Sequence, residues 1–198
     1  MEQQFSEKES LQLINAMINK AKNNYSESGT LYLVWGFTIF ICSIAQFIAL
    51  KFFNYQQAYY IWFVTWGVFI YQVIFLRRKK KKERVRAYTD EILGYVWICF
   101  VVCLFVMLFI LIQSKSFTLI NTVILVVYGI PTFLSGAILK IKSLTIGGIC
   151  CWVLAEISLF IPQQYHILLI SAAVLIAWII PGIILRNKFL KQSSSYAR

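Results

Sequence analysis

Six apolar stretches constrain this chain more than any other feature. They run 31–50, 58–76, 92–112, 118–138, 144–161 and 165–185. None contains Lys, Arg or Asp, and only the fifth contains Glu, at position 156. A helix needs about 20 apolar residues to cross roughly 30 Å of hydrocarbon. Each stretch therefore reads as one membrane crossing. The connections, 51–57, 77–91, 113–117, 139–143 and 162–164, are too short for a soluble domain and force neighbouring spans to be antiparallel. The composition agrees, with 60% hydrophobic and 14% charged residues. A soluble domain has about 45–50% and 25%. The expected fold is an all-α, polytopic, six-span transmembrane bundle.

The net charge of +11 would ordinarily suggest a polyanionic partner. Its distribution says otherwise. Of 19 basic residues, only Lys51 and Lys115 fall in the first, third and fifth connections, which share one side; the rest lie on the other. Cytoplasmic loops carry the Lys/Arg excess, so both termini are expected in the cytoplasm. The densest run, RRKKKKERVR at 77–86, supplies Arg77, Arg78, Lys79, Lys80, Lys81, Lys82, Arg84 and Arg86. It sits where topology calls for positive charge. Such a cluster beside a span also attracts anionic lipid head groups. Nucleic-acid binding is not expected, because loop 77–91 has one tyrosine to stack a base and no recognisable binding module.

The first thirty residues are polar and hold no apolar h-region, so no cleavable signal peptide is expected before the first span. Residues 6–24, SEKESLQLINAMINKAKNN, open with Ser6 and Glu9 in capping-box spacing. Leu11, Ile14, Ile18 and Ala21 recur at helical spacing, which predicts a cytoplasmic amphipathic helix with Gly29 as the hinge into the first span. It has three possible seats: the inner interface, a partner or second copy, and the bundle's own cytoplasmic face. Glu7 and Glu9 offset Lys8, Lys20 and Lys22, so charge favours the membrane only slightly.

Within the spans, Glu156 is the one ionisable side chain well inside hydrocarbon, and an intramembrane acid suggests function by default. Helical rise places it about five residues, roughly 8 Å, below the outer end. Gln46, Asn121 and Thr122 fall at similar depth, and His166 opens the sixth span. These groups would line an outward-facing polar pocket with Glu156 as proton acceptor or cation ligand. The competing reading makes Glu156 a neutral, hydrogen-bonded or outward-reaching packing residue. His166 lacks an H-x-x-x-H or carboxylate companion, so no metal site is expected. The five cysteines, all in apolar stretches, read as small packing residues rather than a disulfide framework.

Pro131 and Pro181 interrupt the fourth and sixth spans, each three residues after an aromatic, and predict kinks. Gly129, Ser135, Gly136, Gly147, Gly148, Ala173 and Ala177 offer surfaces for close helix packing. Trp66 and Trp152 fall deep in their spans and read as packing residues. No H-E-x-x-H, G-x-S-x-G or Walker A motif occurs, so neither an enzyme nor a cofactor is expected.

The stretches KKERVRAYTDEILGYVWI (81–98), YGIPTFLSGAILKIKSLTIGGICCW (128–152) and AWIIPGIIL (177–185) resemble an uncharacterised family of small bacterial multi-pass membrane proteins. The resemblance runs nearly full length. It implies the bacterial inner membrane and carries no catalytic residue or substrate. The leading functional expectation is a non-enzymatic accessory or regulatory membrane subunit, homo-oligomeric or bound to a membrane or cytoplasmic partner protein. The alternative is a small transporter or solute-binding component built on Glu156.

Overall fold

A computed structural model describes residues 29–55, 57–82 and 88–196. The predicted N-terminal amphipathic helix, Arg84 and Arg86 lie outside these residues. Among the described residues every element is helical. In chain order they are α1 (Gly29–Phe52), a 3-10 segment (Ala58–Phe63) leading into α2 (Val64–Lys82), and α3 (Tyr88–Gln113). A second 3-10 turn (Phe117–Leu119) leads into α4 (Ile120–Leu139), followed by α5 (Lys142–Ser158). The last rod starts with a 3-10 turn (Gln163–Tyr165) and comprises α6 (His166–Val174), a π-helical turn (Leu175–Ile179) and α7 (Ile180–Tyr196).

Five of these rods are long and apolar enough to cross a membrane: Gly29–Phe52, Ala58–Arg78, Glu91–Gln113, Phe117–Leu139 and Gln163–Asn187. α5, at 17 residues, is the shorter sixth rod. Its length does not isolate it, because α4 and α5 make the most extensive helix pair in the molecule.

That pairing follows from glycine. A Cβ on Gly136 would collide with the backbone nitrogen of Thr145, and one on Gly129 would strike the Trp152 indole. In return, a Cβ on Gly148 would sit 2.7 Å from the backbone of Phe133. The small residues let the two backbones approach closely, which replaces hydrophobic driving force between helices in lipid. At the far end Thr122 and Ser158 share a buried hydrogen bond of 2.6 Å. The hairpin turns at Lys140, whose left-handed backbone (φ 56°, ψ 37°) ends α4. Ile141 N–H donates to Gly136 O (2.8 Å) and Lys140 N–H to Ala137 O (3.3 Å), a Schellman closure.

α1 crosses the last rod in the same way. A Cβ on Gly29 would lie 3.2 Å from Gly182 O and Arg186 N, and one on Gly36 would lie 2.9 Å from Ile179. Gly147 of α5 meets Ala177 of the π turn, where a Cβ would lie 2.6 Å from the Ala177 Cα. The core thus sits among α1, α4, α5 and the last rod, with Leu125, Leu144, Cys151, Val174 and Ala177 fully enclosed.

α2 and α3 are peripheral. No described side chain of α2 is buried, and in α3 only Leu111 is. α2 is fastened to α1 by two reciprocal tryptophan–glutamine pairs. Trp35 Nε1 donates to Gln72 Oε1 at one level, and Trp62 Nε1 donates to Gln46 Oε1 (2.6 Å) at the other. Trp66, expected to pack, instead points away from the bundle at 56% exposure. Among the described residues α2 packs chiefly on α1, which leaves the ring on the uncovered side. Trp152 is half-buried, lies against Phe133 with ring centroids 5.4 Å apart, and donates to Val126 O.

Candidate functional site

The four residues expected to form an outward polar pocket are not joined by any hydrogen bond among the described residues. Glu156 lies in the last turn of α5, exposed on the outside of the bundle. The helix ends two residues later, at Ser158. Gln46 is occupied by Trp62 on α1's flank. Asn121 is half-buried at the start of α4. His166 is buried, with Nε2 donating to Ile161 O at 2.8 Å, while Nδ1 has no partner. A shallow recess of about 230 Å³ lies near this level, lined by Phe47, Leu50, Lys51 and Gln164. Lys51 Nζ stands 5.6 Å from the Tyr165 ring centroid, within cation–π range.

Of the basic run, Arg77 and Arg78 are exposed at the end of α2, and the helix continues through Lys79, Lys80, Lys81 and Lys82. Cys99 and Cys103 share one exposed face with Sγ atoms 4.0 Å apart, whereas Cys42 and Cys151 are buried. Among the described residues, no group of three or more potential metal ligands comes together.

What the structure does assemble is a centre around Trp178. Its ring stacks on Tyr128 (centroids 4.8 Å, planes 29°) and meets Trp97 (5.5 Å) and Tyr32 (5.9 Å) edge-on. Phe100 closes the outer side, 5.5 Å from Trp97 and 6.1 Å from Tyr128. Offset-stacked and edge-to-face geometries are the ones aromatic quadrupoles prefer. The indole N–H donates to Thr132 Oγ1 (3.3 Å), and the Thr132 hydroxyl donates to Tyr128 O (2.9 Å). The Tyr128 hydroxyl is buried without a hydrogen-bond partner among the described residues.

Local sequence explains the placement. Ile180 N–H reaches back five residues to Leu175 O, so the turn holding Trp178 carries one extra residue. Pro181 follows directly, and its missing N–H leaves no donor for a regular bond there. The wide turn rotates Trp178 into the interior, where helices α1, α3 and α4 supply the remaining rings. Chemically this is a packed, internally hydrogen-bonded junction. The only signal that marked it in the sequence is the shared spacing of Tyr128 and Trp178, each three residues before a proline.

Compared with protein-family models, with curated proteins and with solved structures, the chain matches none.

Proposed function

We propose that this chain is a six-span integral protein of the bacterial inner membrane, with both termini cytoplasmic, that acts as a non-enzymatic accessory or regulatory subunit. The reading of α5 as the sixth span rests on its register with α4: contacts at Gly136–Thr145 and Thr122–Ser158 bracket nearly the whole length of both helices. At about 1.5 Å per residue, 17 helical residues reach roughly 26 Å, close to the hydrocarbon thickness. The orientation rests on the positions of Lys and Arg, and the bacterial assignment on the sequence resemblance.

One observation carries the accessory role. The interior is filled by the Trp178 junction and the glycine-tight helix crossings, while α2 buries no described side chain and α3, apart from Leu111 and the inward-packed Leu93, Trp97 and Phe100, leaves most of its apolar side chains exposed. A bundle that leaves this much apolar surface uncovered on α2 and α3 is built to sit beside something. Lipid, a second copy or another membrane protein would occupy those faces, with the N-terminal segment and the basic run forming the cytoplasmic contact.

Affinity purification of the full chain from native membranes in mild detergent tests this. A stoichiometric partner or a defined homo-oligomer supports the reading. A lone monomer, together with pH-dependent solute uptake into vesicles that Glu156→Gln abolishes, overturns it in favour of a transporter.

A further inference from the structure

The cytoplasmic-side turn between α4 and α5 carries a feature that neither the subunit reading nor the basic run uses. A shallow groove of about 400 Å³ runs along the hairpin, lined by Gly136, Ala137, Lys140, Lys142, Thr145 and Ile146. Its walls are almost wholly apolar, with Ala137 and Ile146 exposed along it. Gly136 and Thr145 line it where the two helices meet most tightly, since any Cβ on Gly136 would collide with the Thr145 backbone. At its mouth stand two exposed cations, Lys140 and Lys142.

We propose that this groove holds an anionic phospholipid of the cytoplasmic leaflet, its phosphate between Lys140 and Lys142 and one acyl chain along Ala137 and Ile146. The proposal rests on the membrane placement argued above. Two features of the groove select that occupant. Two positive charges at a membrane-facing mouth complement one phosphate, as in the basic pockets between spans that hold anionic head groups. An apolar trough continuing from those charges into the hydrocarbon level suits an acyl chain and excludes a free phosphate ester, which would leave it bare.

The site is separate from the run at 77–82, which extends α2, a helix that packs on α1 and not on this hairpin. Neutralising each cluster in turn therefore distinguishes a built site from general attraction of the whole basic face.

The experiment uses the full chain, delipidated in a maltoside detergent and titrated with dioleoyl-phosphatidylglycerol or dioleoyl-phosphatidylcholine, with bound lipid counted by native mass spectrometry. Phosphatidylglycerol is expected to bind about tenfold or more tighter than phosphatidylcholine, since each lysine near a surface adds appreciably to anionic-lipid affinity. Lys140→Gln with Lys142→Gln should reduce that ratio to near one. Arg77→Gln with Arg78→Gln should leave it unchanged. Ile146→Trp, which obstructs the trough while keeping both charges, should weaken both lipids. Equal binding of the two lipids by the wild type overturns the proposal. So does a preference that survives the double lysine change or vanishes with the arginine change. A chain that stays monodisperse in buffer without detergent would instead overturn the membrane placement, a separate failure.

Discussion

Tyr128 and Trp178 stack face to face at 4.8 Å, and each stands three residues before a proline, one in α4 and one in the last rod. Proline removes an intrahelical donor and bends its helix one turn upstream. The last rod is π-helical just before its proline, α4 runs on as α-helix through Pro131, and the two rings meet at one interior point. Thr132, the residue after Pro131, completes the join by accepting the Trp178 N–H and donating to the Tyr128 carbonyl.

Removing that ring should be costly. Trp178→Ala deletes contacts with three other rings in a buried setting, and large aromatic truncations in cores cost about 3–5 kcal/mol. Trp178→Phe keeps a ring but loses the bond to Thr132, a loss of about 1 kcal/mol. Thermal unfolding in detergent should rank wild type above Phe above Ala. Equal Tm values for all three would show that the junction contributes nothing.

The two tryptophan–glutamine pairs should control the attachment of α2. Intramembrane hydrogen bonds are worth about 0.6 kcal/mol on average and 1.7 at most. Gln46→Leu together with Gln72→Leu should therefore leave the core Tm nearly unchanged while freeing α2. Proximity cross-linking between cysteines placed at Thr38 and Phe69 would report it, with cross-linking falling in the double variant. Undiminished cross-linking would mean that packing alone holds the helix.

Glycines separate into two kinds. Gly136→Ala must push apart α4 and α5, because the new methyl meets the Thr145 backbone, and monodisperse yield should collapse. Gly67→Ala, with nothing within 4 Å, should be silent or mildly stabilising through helix propensity. Comparable behaviour of the two variants on size-exclusion chromatography would contradict the close α4–α5 contact.

The proposed six crossings predict a specific labelling pattern. Single cysteines at Asn54, Ser114 and Gln163, in a background with the native cysteines replaced, should react with an impermeant maleimide added outside cells. A cysteine at Lys140 should react only after lysis. If α5 did not cross, positions 140 and 163 would share one side, and that pattern would refute the six-span reading.

Thr122 and Ser158 should show coupling in a double-mutant cycle. Thr122→Val and Ser158→Ala each break their shared buried bond at the open end of the hairpin, and Ser158→Ala also loses the bond to Ala155 O. The non-additive part is expected at about 0.5–1.5 kcal/mol. A coupling near zero would place both hydroxyls in independent backbone bonds, as Ser158 already has with Ala155 O.

The rods themselves were legible because lipid imposes one rule: long uncharged apolar runs must be helical. That rule fixes α1, α3 and α4 within a few residues of their expected bounds, whereas α2 and the last rod continue as helix past the apolar ends at 76 and 185, to Lys82 and Tyr196. It says little about facing, since a side chain turned to lipid and one turned to protein have the same polarity. Trp66 and Trp152 show the cost: equal depth in the sequence, opposite surroundings in the fold. Glu156 drew notice as the sole acid in a span, yet the junction at Trp178 contains no charge. Its indication was positional, two aromatics at matched distance from two prolines. The π turn itself had no sequence mark beyond the adjacent Pro181. Glycine was the more informative residue, because Gly129, Gly136, Gly147 and Gly148 all fall at close helix crossings.

The surplus residue in the turn Leu175–Ile179 also sets the azimuth of everything after it. One residue is about 100° of helical rotation, so deleting one position there would swing Gly182 and Leu185 away from Leu33 and Gly29. The C-terminal half of the last rod thus works like a key whose teeth are aligned by a single added notch. Its fit against α1 is a property of residue count as much as of residue type.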